Sequence, residues 1–201
     1  MKNFIAGIGL FCALTASGTA QERFVDETPQ NRKVVLEEFT GVNCGNCPDG
    51  HRRANALRDA HPGEVFLINI HQGSYAYPAE IDLRTNYGDA LASQAGINSY
   101  PNATINRHSF NGSIAVADRT AWTSLSEGLL STEAYANIAA KATVDWQTRE
   151  MQVTVQVYYT GNSPASTNYL NVALLQDYIY GPQAGMNANM EQVDGNQYVH
   201  M

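Results

Sequence analysis

Residues 34–53 read V-V-L-E-E-F-T-G-V-N-C-G-N-C-P-D-G-H-R-R. The apolar run at 34–39 predicts a short buried strand. A loop follows at 40–43. Cys44 and Cys47 then stand two residues apart, where a helix begins. Thiols at that spacing, at a strand-to-helix junction, close a small disulfide ring or open into a dithiol. The functional reading turns on whether the pair is reactive or structural.

Working outward, the helix is expected from about residue 44 to 60. Pro48 is compatible with it, because first-turn amides have no intrahelical partner. Pro62-Gly63 ends it. A second apolar run, E-V-F-L-I-N-I at 64–70, completes a βαβ unit and hence a parallel sheet buried on both faces. The loop H-Q-G-S-Y-A-Y-P at 71–78 leaves that strand at its carboxyl end, where ligand contacts gather in open α/β sheets. Leu83, Tyr87, Leu91 and Ala95, spaced four apart, predict a helix over 81–95 with Gly96 as its C-cap. A strand at 103–106 follows Tyr100-Pro101. Asn111-Gly112 marks a hairpin within 108–113. Asp118 can cap a helix to about residue 130, with Trp122, Leu125 and Leu129 on one face.

From about residue 133 the period changes. Apolar residues alternate strictly over 134–146 and again over 151–159, with a turn at 147–150. A loop at 161–167 leads to a third run at 169–178. Such alternation predicts antiparallel strands with one wet face. Three strands alone are marginal in water. Either they lean on the first domain or the chain stops inside a β-sandwich. The tail from Tyr180 is rich in Gly, Asn and Met.

The chain has 201 residues and 44% hydrophobic content, enough for one large domain or two small ones. Lys2, the apolar stretch 4–14 and the small residues Gly18-Thr19-Ala20 form a secretory signal pattern. The apolar stretch is shorter than the ~18 residues a spanning helix needs. Cys12 raises lipid modification as a minor alternative, but Phe11 is not the small residue expected before such a cysteine. Removing residues 1–20 takes away Lys2 and no acid, so the net charge moves from −7 to −8. An acidic chain without basic blocks argues against nucleic acid and anionic membrane surfaces. Only Cys44 and Cys47 then remain. One close pair is not a disulfide scaffold, and a two-residue loop is a weak staple. Both points push the pair toward chemistry.

These residues resemble the thioredoxin superfamily over residues 34–130. Its signature is strand, loop, C-x-x-C at a helix start, and later a cis-proline before a strand. Phe39 stands five residues before Cys44, and Gly96-Ile97-Asn98-Ser99-Tyr100-Pro101 is similar to the G-I-x-x-x-P approach to that proline. More closely, the signal peptide, E-E-F-T-G-x-x-C-x-x-C-P, the H-Q-G loop, Y-P-x-x-x-x-N-R and the β-rich tail resemble a family of Bacteroidetes envelope proteins, the outer membrane proteins of the twenty-eight-kilodalton class. That resemblance implies an α/β thioredoxin-like domain followed by an all-β, immunoglobulin-like segment. Members commonly continue beyond the point where this chain stops. The expected organisation is a signal peptide at 1–20, a loose leader at 21–33, the thioredoxin-like domain at 34–132 and the β segment, complete or cut short, at 133–201. The chain departs from thioredoxins at Asn43, where they carry tryptophan, at Gly45-Asn46 in place of Gly-Pro, and in the longer stretch from Cys47 to Pro101.

A thiolate at a helix N-terminus is favoured by the exposed amide dipoles. Cys44 is therefore the candidate nucleophile and Cys47 the resolving thiol. The competing reading is an inert bridge. Zinc on Cys44, Cys47, His51 and His61 is disfavoured. A helix rises ~5.4 Å per turn, which carries His61 far from the thiols. The resemblance places Glu38 beneath the second cysteine, as a base for Cys47. Glu37 and Glu38 point to opposite faces, so one of them can simply be solvated. Pro101 is the cis candidate, and its bond would turn the Tyr100 backbone toward the sulfurs. Tyr100, His71 and Tyr75 are candidates to line a partner groove, Tyr77 with them. The bland readings are plain packing, an exposed loop histidine and cover for a sheet edge. Asn102 and Asn111 match glycosylation sequons by chance. No metal and no cofactor beyond a redox-active Cys44–Cys47 disulfide is expected.

The expectation is thus an exported protein of periplasm or outer membrane that exchanges thiols and disulfides with envelope proteins or peptides. The alternative is a non-enzymatic surface or adhesion protein that uses the fold as a scaffold. The sequence carries no signal for an oligomeric state.

Overall fold

A strand whose apolar residues fall on both sides of its alternation has to be covered on both faces, and β1 (Val34–Thr40) is. The computed structural model describes residues 22–78, 80–185, 193–194 and 197–200. The expected signal peptide at 1–20, Cys12 within it, and much of the tail beyond 185 lie outside the described residues.

The main sheet has the order β2-β1-β3-β4. β2 (Val65–His71) runs parallel to β1; β3 (Asn102–Ile105) runs antiparallel to it, and β4 (Ala115–Val116) antiparallel to β3. Period-two alternation sorts the side chains into two cores. Val34, Leu36, Val65, Ala103 and Ile105 meet Ala54 and Leu57 of α1 (Cys47–Ala60) and Trp122 and Leu129 of α3 (Trp122–Leu130). On the other face Phe39 and Ile70 meet Ala92 and Ala95 of α2 (Asn86–Ala95). The sheet is therefore mixed α/β with helices on both faces.

Several boundaries differ from the sequence reading, each for a local reason. The helix expected from residue 44 starts at Cys47, with Pro48 in its first turn. The helix expected over 81–95 starts at Asn86. Thr85 caps it by accepting from the Gly88 amide at 3.0 Å. Before it, Asp82 accepts from the Arg84 amide and guanidinium, and Arg84 bridges to His71, which keeps that stretch extended. The stripe through Leu83 and Tyr87 is consequently not the buried one; Gly88, Ala92 and Ala95 are. β3 stops at Ile105 because Asn106 is left-handed (φ 51°), with its side-chain amide bonded to Val35 and Lys33. The Asn111-Gly112 turn is present, closed by the Phe110–Ser113 bridge. Asp118 does not cap α3 directly. It accepts from the Thr120 amide and hydroxyl, and the helix opens at Ala121.

The second half is antiparallel. β5 (Ala136–Asp145) and β6 (Glu150–Tyr159) form a long hairpin in register from Ala136↔Tyr159 to Asp145↔Glu150. The third strand expected at 169–178 does not form. Those residues are exposed, Tyr169 at 86%, and carry no ladder. Without it the apolar face of the hairpin stays open, Ile138 being 63% exposed. Strand pairing resumes at β7 (Ile179–Gly181), which joins β9 (Gln197–His200) and β8 (Val193–Asp194) in a small sheet of order β7-β9-β8.

The leader expected to be loose is tied down. Its Phe24 and Val25 amides donate to Gln156 of β6, and its Asp26 and Thr28 carbonyls accept from Asn137 of β5. Hydrogen bonds from Ala134 to Gln30 and from Arg32 to Thr132 complete the seam just before β1.

Trp122 anchors the first core. It is fully buried and donates from Nε1 to the Val116 carbonyl at 2.9 Å. Trp122→Ala should cost about 3–5 kcal/mol, as large-to-small changes of buried aromatics do. Trp122→Phe should cost markedly less. Urea unfolding with Trp146→Phe as the exposed-tryptophan control measures both.

Candidate functional site

The CxxC pair sits where the loop after β1 turns into α1. Cys44 and Cys47 are joined by a disulfide, with Cα atoms 5.4 Å apart. The turn is closed by the Cys44 amide donating to Gly41 (3.0 Å) and the Cys47 amide donating to Cys44 (3.2 Å). Asn46 opens the helix without a side-chain cap, so the first-turn amides are left to whatever lies before them. Neither sulfur residue is open: Cys44 is 3% exposed and Cys47 0%.

Beneath the pair, α1 buries Cys47, Pro48, Gly50, His51, Ala54 and Leu57, one helical stripe. Gly50 leaves the room this close approach needs. A Cβ at this position would overlap Glu38 Oε1 and lie 3.0 Å from the Pro101 ring. The Glu38 carboxyl and the Pro101 ring therefore both lie against Gly50 in the first turn of α1. The Tyr100–Pro101 bond is cis.

The two adjacent acids have opposite fates, and neither is solvated. Burial pushes Glu37 up. Hydrogen bonds from Arg107 (2.5 and 2.8 Å) and Thr104 (2.6 Å) outweigh it and hold the carboxyl below its ordinary value. Glu38 is fully buried and neither oxygen has a hydrogen-bond partner. Burial raises it well above the ordinary carboxylate range; Arg119 offsets this only in part. Arg119 is itself engaged with Asp49, as are Arg52 and Arg53.

His51 faces Glu38 with Nε2 3.6 Å from Oε1. That distance is too long for a hydrogen bond. Burial holds His51 down at about 3, so carboxyl and imidazole meet as neutral groups rather than as an ion pair. A dry site disfavours separating their charges. The two ring nitrogens hydrogen-bond Thr40 Oγ1 (2.9 Å) and the Tyr198 hydroxyl (2.5 Å). Burial raises Tyr198 above its usual range, and nearby Glu38 adds to this.

Of the remaining predicted site residues, His71 does not lie in an exposed loop. It ends β2, is buried, is pushed down to about 3 by burial and His200, and stands edge-on to His200 with ring centroids 5.1 Å apart. The Tyr100 hydroxyl accepts from Gln72, and its ring meets Tyr75 edge-on at 5.6 Å. Tyr75 is half-exposed on the rim; Tyr77 lies farther out beneath Arg84. The loop carrying them is bound to the CxxC loop. Asn43 donates its amide to the Tyr75 carbonyl (2.9 Å) and its side chain to the Tyr77 carbonyl (2.7 Å). His51 and His61 lie at opposite ends of α1, and among the described residues no group of three or more His, Cys, Asp or Glu could hold a metal.

Sequence reasoning missed Tyr198, His200 and Gln183. It weighed His51 only as a zinc ligand. The signal for His51 was readable, since it falls on the apolar stripe of α1 with Ala54. No local signal marks the other three.

No protein-family model and no curated protein sequence matches the chain. Among solved structures the chain is similar to HBP35 of Porphyromonas gingivalis, with 24% identity and a TM-score of 0.45 over 57% of this chain and 38% of that one. It is also similar to a crystallised protein of Agrobacterium tumefaciens, with 13% identity and a TM-score of 0.40 over 66% of this chain and 76% of that one. At these values nothing of either protein's chemistry passes to this chain.

Two outcomes follow from the buried groups. Between pH 6.5 and about 3 the unfolded chain protonates His51 and His71 while the native chain does not, so stability falls as pH drops through that window. At pH 5 the loss should be on the order of 2 kcal/mol for each histidine. Glu38 acts in the opposite sense: above 4.5 the unfolded carboxyl ionises and the buried one does not, so stability also falls as pH rises. Urea midpoints from pH 4 to 9 should show the acid slope reduced in His71→Gln and the alkaline slope reduced in Glu38→Gln. Separately, Gly50→Ala should destabilise by about 1–3 kcal/mol, the usual cost of overpacking. A thermal midpoint unchanged by that substitution would show that Glu38 and Pro101 can move aside.

Proposed function

We propose that this chain is an exported, thioredoxin-like protein of the bacterial envelope that exchanges thiols and disulfides with protein partners through Cys44 and Cys47. The observation that carries the reading is the partnerless carboxyl of Glu38, buried against Gly50 and Pro101 beneath the disulfide-bearing turn. An unsatisfied buried polar group costs about 1–3 kcal/mol. Groups held in such unfavourable environments concentrate at functional sites. The leader-like sequence at 1–20 supports export. No helix among the described residues is long and apolar enough to cross a membrane. The organisation that goes with this reading is a thioredoxin-like unit at 34–132 and a β segment from 133, immunoglobulin-like in kind.

In the reduced protein, the Cys44 thiolate attacks a partner disulfide and releases one partner thiolate. The minor ionised fraction of Glu38 takes the proton of the Cys47 thiol and so returns to the neutral form that its dry site favours. The Cys47 thiolate then attacks the Cys44 sulfur and expels the second partner thiolate. The partner gains two electrons, and this protein returns to the Cys44–Cys47 disulfide. The reverse sequence oxidises a partner dithiol. Tyr100, cis-Pro101, His71 and Tyr75 are assigned to framing the partner chain.

One observation favours a second reading, a surface or adhesion protein with an inert bridge: the disulfide is covered on all sides. Cysteine substitutions separate the two. On the exchange reading, Cys47→Ser accumulates mixed disulfides with partner proteins, Cys44→Ser accumulates none, and Glu38→Gln slows resolution by about 10²-fold or more. Insulin reduction and trapping at background for the wild type and all three variants would establish the scaffold instead.

A further inference from the structure

The loop that carries the buried disulfide is crossed by a segment distant in sequence. After β7, residues 182–185 cross the CxxC loop, turning at Ala184-Gly185. Ala184 donates its amide to the Val42 carbonyl at 2.8 Å. The buried Gln183 side chain donates from Nε2 to the carbonyls of Gly41 (3.2 Å) and Cys44 (3.1 Å). Gly185, at φ 76°, lies so close that a Cβ would overlap the Gly45 carbonyl. One main-chain and two side-chain bonds thus converge on a row of backbone acceptors, donated by residues some 140 positions from the loop they cross.

The strand is latched rather than built in. β7 is outside the four-stranded sheet and, among the described residues, pairs with β9 alone. β9 holds on through Tyr198 against His51, and through His200 against His71 and the Pro182 carbonyl (3.3 Å). Upstream, residues 162–178 are largely exposed and have no regular structure, which gives the arm slack. An arm held by a few hydrogen bonds at net values of about 0.5–1.5 kcal/mol each can be exchanged for another strand making the same ones.

We propose that the carbonyls of Gly41, Val42 and Cys44 form a binding subsite for a peptide segment that presents a side-chain amide and, two residues on, a residue small enough to lie beside Gly45, and that residues 182–185 fill it as an internal competitor, keeping the disulfide closed until a partner segment displaces them. The inference deepens the thiol-exchange reading and rests on it for the identity of the partner. The closure itself is measurable without it. Two of the three bonds come from the Gln183 side chain, so the subsite selects a side-chain amide at that position, while the Val42 carbonyl accepts from any backbone amide.

The test is the rate at which dithiothreitol reduces the disulfide of the native full chain. The reagent closes to its cyclic disulfide, and Cys44 and Cys47 take up two electrons and two protons. Gln183→Ala removes the bonds to Gly41 and Cys44; Gly185→Val forces the strand off Gly45. Both should speed reduction at least tenfold over wild type, with the Trp122 emission of the folded core unchanged. A synthetic peptide of the sequence 180–185, at millimolar concentration, should slow reduction of the Gly185→Val protein, and a scrambled peptide should not. Rates within twofold of wild type in both folded variants overturn the closure. Equal effects of the two peptides overturn the subsite. If the variants open faster yet insulin turnover stays at background, the closure stands and the exchange reading fails. If wild type turns insulin over and neither variant alters either rate, exchange stands and the closure fails.

Discussion

Everything near the disulfide depends on one constraint: β1 is dry on both faces and carries two consecutive carboxylates. Alternation sends them to opposite sides, so one partner group could never have served both. On the α2 face Glu37 has Arg107 in a two-pronged pairing with Thr104 beside it, and it stays charged at little cost. On the α1 face Glu38 has no hydrogen-bond partner, so its carboxyl favours the neutral form. Gly50 follows from this, because the helix can pass over that carboxyl only where it has no side chain. The first turn of α1, and with it the two cysteines, is thus placed by an acid in the layer beneath.

The same dryness governs the histidines. His51, His71 and His200 are all depressed by burial. Neutral rings can pack edge to edge and share hydrogen bonds with Tyr198 and Pro182; charged ones would repel each other in a site without water. The contact between the C-terminal strands and the CxxC region is therefore a polar, uncharged one. It differs from the two aliphatic cores on either side of the main sheet, where apolar burial dominates. That difference is what lets an arm be a separate part of the molecule while still covering the sulfurs.

Legibility along the chain follows the range of the forces involved. The β1–α1–β2 unit, the Asn111-Gly112 turn, the Gly96 cap and the β5–β6 hairpin were readable because each rests on neighbours within a few residues. The cis bond at Tyr100–Pro101 was readable from a motif. The helix expected over 81–95 was drawn too long because Leu83 and Tyr87 continue its period; Asp82, Arg84 and the Thr85 cap decide otherwise. The run at 169–178 has strand-like composition but no neighbouring strand to pair with, and composition alone makes no ladder. The polar residues of the leader carry no period, so nothing local marks it as ordered. Its bonds go to Asn137 and Gln156, more than a hundred residues away.

By itself the sequence determined the local chemistry: two cysteines at a helix start, a carboxylate pair on a strand that must be buried, a proline ahead of β3, and two alternating runs that must pair. Those features depend on side-chain period and backbone stereochemistry, which are properties of short stretches. Only the tertiary structure decided which of the two acids is left without a hydrogen-bond partner, that His51 stands against it, and that residues 182–185 lie across the CxxC loop. Each of these joins groups far apart in the chain, and hydrogen bonds between Gln183 and Gly41 or between Tyr198 and His51 leave no periodic trace in either partner. The sequence therefore marked the place where sulfur chemistry belongs, and the fold decided that the place is closed by its own chain.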